Sequence, residues 1–258
     1  MNLENAKKEF LNYANNYDLK EFQIKRKLDH SLRVMALSRK IAESLHLNSE
    51  EIEIATLIGL LHDIARFEQY TVYKTFNDSK SIDHGNFGVK ILQNNNYIRN
   101  FINEEKYDRI IFIAIKNHNK FKIEEGLSKE EVLFSKIIRD ADKIDILYQG
   151  ISISWTDSVE KVENKKISEE DIQAFREKRL VNRNTDLKHT PYEMRHLLTS
   201  LGFVFDINFN ISFKILKETD YINKTLKRFS FKDDNTKELI EEVRNIVNSY
   251  IDEKQKGW

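Results

Sequence analysis

The stretch EIEIATLIGLLHDIARF, residues 51–67, decides the fold. It is apolar on nearly every side, so as a helix it must lie at the centre of a helical core. The LNSEE segment before it offers Ser49 as an N-cap, with acidic residues in the first turn. Near its end the helix carries His62 and Asp63, two groups that are costly to bury unpaired. Residues of the same two types recur within the first 142 positions, at His30, His84, His118 and Asp142. Five of these six fall inside or at the end of strongly apolar segments with helical periodicity, and a shared metal centre accounts for all of them together.

Outward from this helix the pattern stays helical. Residues 3–17 predict an amphipathic leading helix, and a second begins near Asp29 and runs through HSLRVMALSRKIAESL with apolar residues mostly three and four apart. After a polar loop from Thr71 to Ser81, DHGNFGVKILQNN carries His84 near its start and EKYDRIIFIAIKNHNKF carries His118 near its end. The segment KEEVLFSKIIRDADKIDILYQGI sets Asp140, Asp142 and Asp145 on one apolar helix. Residues 150–190, charged from Glu160 to Arg183, read as a surface-exposed helical excursion, and helix-period apolar residues return from Pro191 onward. With 7 Gly and 1 Pro in 258 residues, long helices joined by short connections are expected. The predicted fold class is all-α: a single helical unit over 1–258, with a metal-binding core at 22–150 and a helical extension at 151–258.

Lys+Arg and Asp+Glu both number 42, so the net charge is zero and carries no general signature of a nucleic-acid or acidic-membrane binder. The absence of cysteine excludes disulfides, thiolate metal sites and a cysteine nucleophile, so imidazole and carboxylate must hold any metal. The N-terminal MNLENAKKEF lacks a secretory apolar core, and the longest apolar stretch, Ile54 to Leu61, is too short to cross a bilayer. The sequence reads as that of a soluble cytoplasmic protein without a membrane partner.

A histidine, a His-Asp pair and a distant aspartate supply two imidazoles and two carboxylates, suited to a hard or borderline divalent cation with positions left for water. Two further imidazoles can hold a second cation, with Asp63 as the bridging carboxylate because it adjoins His62. A hydroxide shared by two such cations would be a nucleophile at neutral pH, and the same cations would neutralise charge on a phosphoryl group.

The ordered set resembles the HD-domain metallohydrolase superfamily. His30, then LLHDIARFEQY (60–70), DHGNFGVKIL (83–92), IKNHNK (115–120) and RDADKIDIL (139–147) follow the H…HD…H…H…D order of its two-metal branches, over residues 22–150. The resemblance implies an all-helical HD core with His30, His62, Asp63 and Asp142 around one metal and Asp63, His84 and His118 around the other. It implies two divalent ions of Mn, Fe, Co or Ni, with Mg an alternative, and hydrolysis of phosphomonoesters, phosphodiesters or nucleotides. Among the three acids of RDADKID, Asp142 maps to the ligand, Asp145 at i+3 lies behind it or toward substrate, and Asp140 projects elsewhere. Where the HD-GYP branch has consecutive histidines this chain has His118-Asn119, and the GYP signature is missing. Those departures argue against a third metal and against specificity for cyclic di-GMP.

Cations near the motif suggest an anionic substrate. Arg66 follows His62 by one helical turn and Lys116 precedes His118 by two residues. Lys143 resembles the phosphate-contacting lysine after the last aspartate of some nucleotide-hydrolysing HD proteins. Arg66, Lys143, Lys116 and Asp145 are therefore the substrate-binding candidates, and the bland alternative is that they neutralise ligand carboxylates or reach solvent. His46 reads as helix-end punctuation, His189 and His196 as structural, and the aromatics of FVFDINFNISF (203–213) as packing. The expected function is a metal-dependent phosphohydrolase or phosphodiesterase acting on a nucleotide or related small phosphate ester. The alternatives are an HD-domain diiron oxygenase, which uses the same ligand order, and a non-catalytic nucleotide-binding sensor.

Overall fold

A computed structural model describes residues 1–152 and 159–256, and every regular element among them is a helix. The described chain forms two compact units, Met1–Asp142 and Lys143–Trp258. In the first, α1 (Leu3–Ala14), α2 (Phe22–Ser44), α3 (Ser49–Leu61), α4 (Ala65–Tyr73), α5 (His84–Gln93) and α6 (Asp108–Asn117) precede α7 (Lys129–Ser152), inside which the division between units falls.

The central position of α3 follows from its composition. Ile54, Leu57, Ile58, Leu60 and Leu61 are each at most 1% exposed, and full burial of such a side chain contributes about 1.5–3 kcal/mol. α3 lies along α2 and also meets α1 and α6. The close approach to α2 depends on Gly59, where a Cβ would stand 2.6 Å from Ser38 Oγ and 2.9 Å from the Val34 carbonyl oxygen. α5 packs on α4 and α6, which brings His84 and His118 toward the end of α3.

The structure corrects several sequence-based boundaries. The N-cap of α3 is Asn48, not Ser49: Asn48 Oδ1 accepts from the Glu51 backbone N–H at 3.0 Å while Glu51 Oε2 accepts from the Asn48 N–H at 2.8 Å. The glutamate three residues on closes a reciprocal box with Asn48, and this fixes the register. The apolar run through Phe67 is two helices. After Leu61 the chain turns through residues 62–64 with three-residue bonds, Ile64 N–H to Leu61 O at 3.0 Å and Arg66 N–H to Asp63 O at 2.9 Å. Periodicity could not reveal that break because the residues stay apolar across it. α2 begins at Phe22, seven residues before the expected start, and α1 ends at Ala14. α2 closes with His46 in the left-handed region at φ 55°.

In the second unit the end of α7 is followed by α8 (Val159–Glu163), α9 (Gln173–Arg176), α10 (Tyr192–Gly202), α11 (Asn210–Thr219), α12 (Tyr221–Leu226) and α13 (Asp234–Lys256). α13 packs on α9, α11 and α12. The expected exposed excursion at 150–190 is not one where it is described, and its 153–158 portion lies outside the described residues. Val162, Ile172, Phe175 and Leu187 are fully buried, spaced too irregularly among charges to register as a helical stripe. The aromatics near 203–213 do pack: Phe205 lies edge-on to Phe175 and Tyr250, with centroids at 5.8 and 5.0 Å. No helix of the described residues is long and apolar enough to cross a membrane.

Candidate metal centre

The first unit draws the six sequence-predicted ligands together. His30 comes from α2, His62 and Asp63 from the turn after α3, His84 from the first position of α5, His118 from the residue capping α6, and Asp142 from α7. His30 and His62 are fully buried, His84 and His118 are at most 5% exposed, and the Asp142 side chain retains 14%. Three overlapping groups, His30/His62/Asp63, His62/His118/Asp142 and Asp63/His84/His118, each present ligand atoms within 4.8 Å of one another.

Asp63 stands between two imidazole pairs. Its Oδ2 lies 3.4 Å from His30 Nε2 and 3.7 Å from His62 Nε2, while its Oδ1 lies 3.5 Å from His84 Nε2 and 3.6 Å from His118 Nε2. Asp142 Oδ1 joins the first pair at 3.2 and 3.7 Å. Donors each about 2.1 Å from one cation sit about 3.0–3.4 Å apart; the 3.2 and 3.4 Å separations fall in that range, and the others, at 3.5–3.7 Å, need only a small inward shift to share an ion.

The hydrogen bonds on the far side of the rings argue the same way. His62 Nδ1 is 2.8 Å from the Gly59 carbonyl, His118 Nδ1 is 2.6 Å from the Ile115 carbonyl, and His84 Nδ1 is 2.5 Å from Asp78 Oδ2. Carbonyls and carboxylates only accept, so these three rings carry their proton on Nδ1 and turn a lone pair inward on Nε2. Yet the Nε2 atoms approach in pairs, His30 to His62 at 3.1 Å and His84 to His118 at 3.0 Å. In the second pair neither nitrogen has a proton to give the other. Asp63 Oδ1 is also buried with no hydrogen-bond donor. Converging lone pairs and an orphaned carboxylate oxygen are what a divalent cation satisfies.

The electrostatics keep these side chains in the protonation forms that could hold a metal. Burial pushes the His62 imidazole below its ordinary value against the pull of Asp63 and Asp142, and burial with the charge of Arg66 takes His84 down to about 3. Burial alone would raise Asp63, but the positive charges of Lys27 and Arg66 outweigh it and hold the carboxyl well below the usual range. Asp142 too is held below the usual carboxylate range, its burial outweighed by the neighbouring His30 and His62 rings.

Several supporting residues escaped the sequence reading. Asp78, from the loop after α4, accepts from His84 Nδ1 and binds Arg66 Nη1 at 3.0 Å, Gln69 Nε2 at 2.9 Å and Asn119 Nδ2 at 3.1 Å. Lys27, one turn before His30, reaches Asp63 Oδ2 at 2.7 Å. Arg139 is 1% exposed and donates through Nη1 to the carbonyls of Asn117 at 2.9 Å and Lys120 at 2.5 Å, clasping the turn that carries His118. Gly85 permits the approach of α5 to that turn, since a Cβ would fall 2.6 Å from Asn119 Oδ1 and 3.0 Å from the Lys116 carbonyl oxygen. The expectation that metal-ligating histidines have a carboxylate or carbonyl behind them could have directed attention to Asp78.

The substrate candidates take different places. Arg66 flanks the ligands, with Nε 3.4 Å from Asp63 Oδ1 and Nη1 engaged by Gln69, the Phe76 carbonyl and Asp78. Lys116 pairs with Glu124 at 2.7 Å. Lys143 opens the second unit, pairs with Asp206 at 2.9 Å and lies 5.6 Å from the Phe203 ring centroid. Asp145 is buried and accepts from Gln149 Nε2 at 2.8 Å. His189 and His196 belong to the second unit.

No curated protein and no solved structure gives a significant match to the chain. The family described as HD domain matches residues 28–147, a span that contains all six candidate ligands. Residues 28–147 thus match the HD domain family, and the His/Asp groups within that span could hold divalent metal.

Proposed function

We propose that the chain is a metal-dependent phosphohydrolase or phosphodiesterase that acts on a nucleotide or related small phosphate ester at a dinuclear centre. The observation that carries the reading is the pair of imidazole pairs on opposite oxygens of Asp63. His30, His62, Asp63 and Asp142 would hold one cation, and Asp63, His84 and His118 the other. Cations there supply a hydroxide nucleophile at neutral pH and neutralise charge on the phosphoryl oxygens. Mn, Fe, Co or Ni suits the imidazole and carboxylate donors, and Mg is the harder alternative.

The chain's own residues do the remaining work. Asp78 and the carbonyls of Gly59 and Ile115 fix ring orientation and keep each Nε2 deprotonated. Arg66 links Asp63 to Asp78 and places a permanent positive charge beside the reacting phosphoryl group. Burial of the ligands excludes bulk water, which strengthens each of these interactions.

A panel of aryl phosphates, phosphomonoesters, nucleotides and cyclic dinucleotides, run with Mn, Fe, Co, Ni and Mg, tests the reading. Metal-dependent release of phosphate or of a nucleotide product is expected. Oxygen consumption by the iron-loaded protein without phosphate-ester turnover would instead establish the oxygenase alternative, and binding of nucleotides with neither activity would establish a sensor.

A further inference from the structure

Three cations outside the ligand set converge on one aromatic ring. The Arg26 guanidinium carbon is 5.6 Å, the Lys27 Nζ 5.3 Å and the Arg66 guanidinium carbon 5.4 Å from the centroid of Phe76. Lys27 and Arg66 keep only 14% and 13% of their side-chain exposure, and Arg26 is partly buried. Like charges gathered away from water repel: burial and the neighbouring Arg66 charge push the Arg26 guanidinium below its ordinary value.

The counter-charges present do not match this cluster. Lys27 leans on Asp63 Oδ2, and Arg66 on Asp78 and on Asp63 Oδ1. Arg26 makes no ion pair among the described residues, and its Nε is buried without a hydrogen-bond acceptor. Asp63 is committed twice, because both of its oxygens also face the imidazole pairs. With cations held between Asp63 and the imidazole pairs, that carboxylate could not also neutralise Lys27 and Arg66. The surplus positive charge therefore abuts the ligand cluster, where an anion would relieve it. The Phe76 ring offers its face to the cations while taking none of their conventional hydrogen bonds.

We propose that Arg26, Lys27 and Phe76, together with Arg66, form a second phosphate subsite beside the metal ligands. The substrate then carries adjacent phosphoryl groups, one at the ligands and one on this cluster. Adjacency follows from the 2.7 Å contact of Lys27 with the bridging carboxylate. The inference rests on the phosphate-ester reading of the centre and narrows its substrate to a diphosphate-bearing small molecule.

The test is calorimetric titration of the metal-loaded protein with inorganic pyrophosphate and, separately, inorganic phosphate, with metal content measured after each titration. Pyrophosphate should bind at least roughly tenfold more tightly than phosphate, the scale of one added charge-assisted contact. Arg26→Gln should reduce that preference to below about threefold, chiefly by weakening pyrophosphate, with metal content unchanged. Arg26→Lys should restore part of it, and Phe76→Leu, which unseats the cluster without removing a charge, gives an independent reading in the same direction. An unchanged pyrophosphate preference in Arg26→Gln and Phe76→Leu, or equal losses for both anions, would overturn the subsite. Turnover of aryl phosphate by the parent separates the two proposals: turnover with no pyrophosphate preference sinks the subsite alone, and no turnover with the preference intact sinks the hydrolase reading alone.

Discussion

In the unit formed by Met1–Asp142, charged groups meet inside: Lys27 on Asp63, Arg66 on Asp78, Arg139 on backbone carbonyls, and four histidines around one carboxylate. In the unit formed by Lys143–Trp258, many ion pairs lie in solvent. Arg176–Glu242, Lys178–Glu253 and Lys217–Asp252 each leave both side chains at least one third exposed, while Phe175, Phe205 and Tyr250 stack together. Exposed pairs are screened and contribute little, and buried ones incur desolvation that packing alone would avoid. The concentration of buried charge around the His/Asp cluster of the first unit therefore marks a site that chemistry maintains, whereas most of the second unit's ion pairs form a coat, with Lys143, Asp145 and Asp171 its buried exceptions.

That contrast breaks most severely at the shared carboxylate. Asp63→Ala should lower turnover by about four orders of magnitude or more, because it removes the group that in the proposed centre would serve both cations. A kinetic assay under saturating metal checks this, and substantial residual activity would move the centre elsewhere. His189→Ala and His196→Ala, in the second unit, should stay within a few-fold of the parent.

Asp78→Asn is the next largest change. It preserves shape but weakens the acceptor behind His84, so metal affinity on the His84/His118 side should fall about 10- to 100-fold. Competition titration against a chelator reads this directly, and an unchanged affinity would remove Asp78 from the centre.

Acidity gives a smaller, graded effect on the metal-free protein. His84 stays neutral in the fold down to about 3 instead of 6.5, so over that interval the unfolded chain binds protons that the folded chain refuses. Asp63 and Asp142 are held below 3.8, so the unfolded chain again binds more protons as the pH falls through that range. Both contributions have one sign: stability is full above about pH 6.5 and declines on acidification. Urea midpoints should drop between about pH 7 and pH 4, and His84→Gln should flatten the slope. A midpoint that rises with acid would contradict the buried neutral imidazole. At the far end of the scale, Arg176→Gln removes exposed pairs to Glu242 and Glu169 and should shift neither the melting temperature nor the metal content measurably.

Much of the candidate site was legible because metal binding demands particular residue types, and burial demands that they be partnered. His30, His62, Asp63, His84, His118 and Asp142 stand out against apolar helices, and α3 is legible as a core helix from its all-round hydrophobicity. Asp78 was not, since it sits in a polar loop where one more aspartate carries no periodic signal. Lys27 and Arg26 were hidden because the early start of α2 was missed, and Arg139 because a lone arginine on an apolar face reads equally as a charge reaching solvent. The turn at residues 62–64 leaves no trace in hydropathy, although it is what puts His62 and Asp63 beside each other at the centre. In the second unit, Val162, Ile172 and Phe175 belong to short helices and connections whose spacing follows no single period.

The central claim is that Asp63 serves two cations, one on each oxygen. Metal equivalents per chain, measured by elemental analysis after saturation and removal of loose ion, test it most directly. The account predicts two equivalents in the parent, one in the His84→Ala/His118→Ala double variant, and a loss at both positions in Asp63→Ala. A parent that saturates at one equivalent, with the double variant binding the same amount, would contradict it.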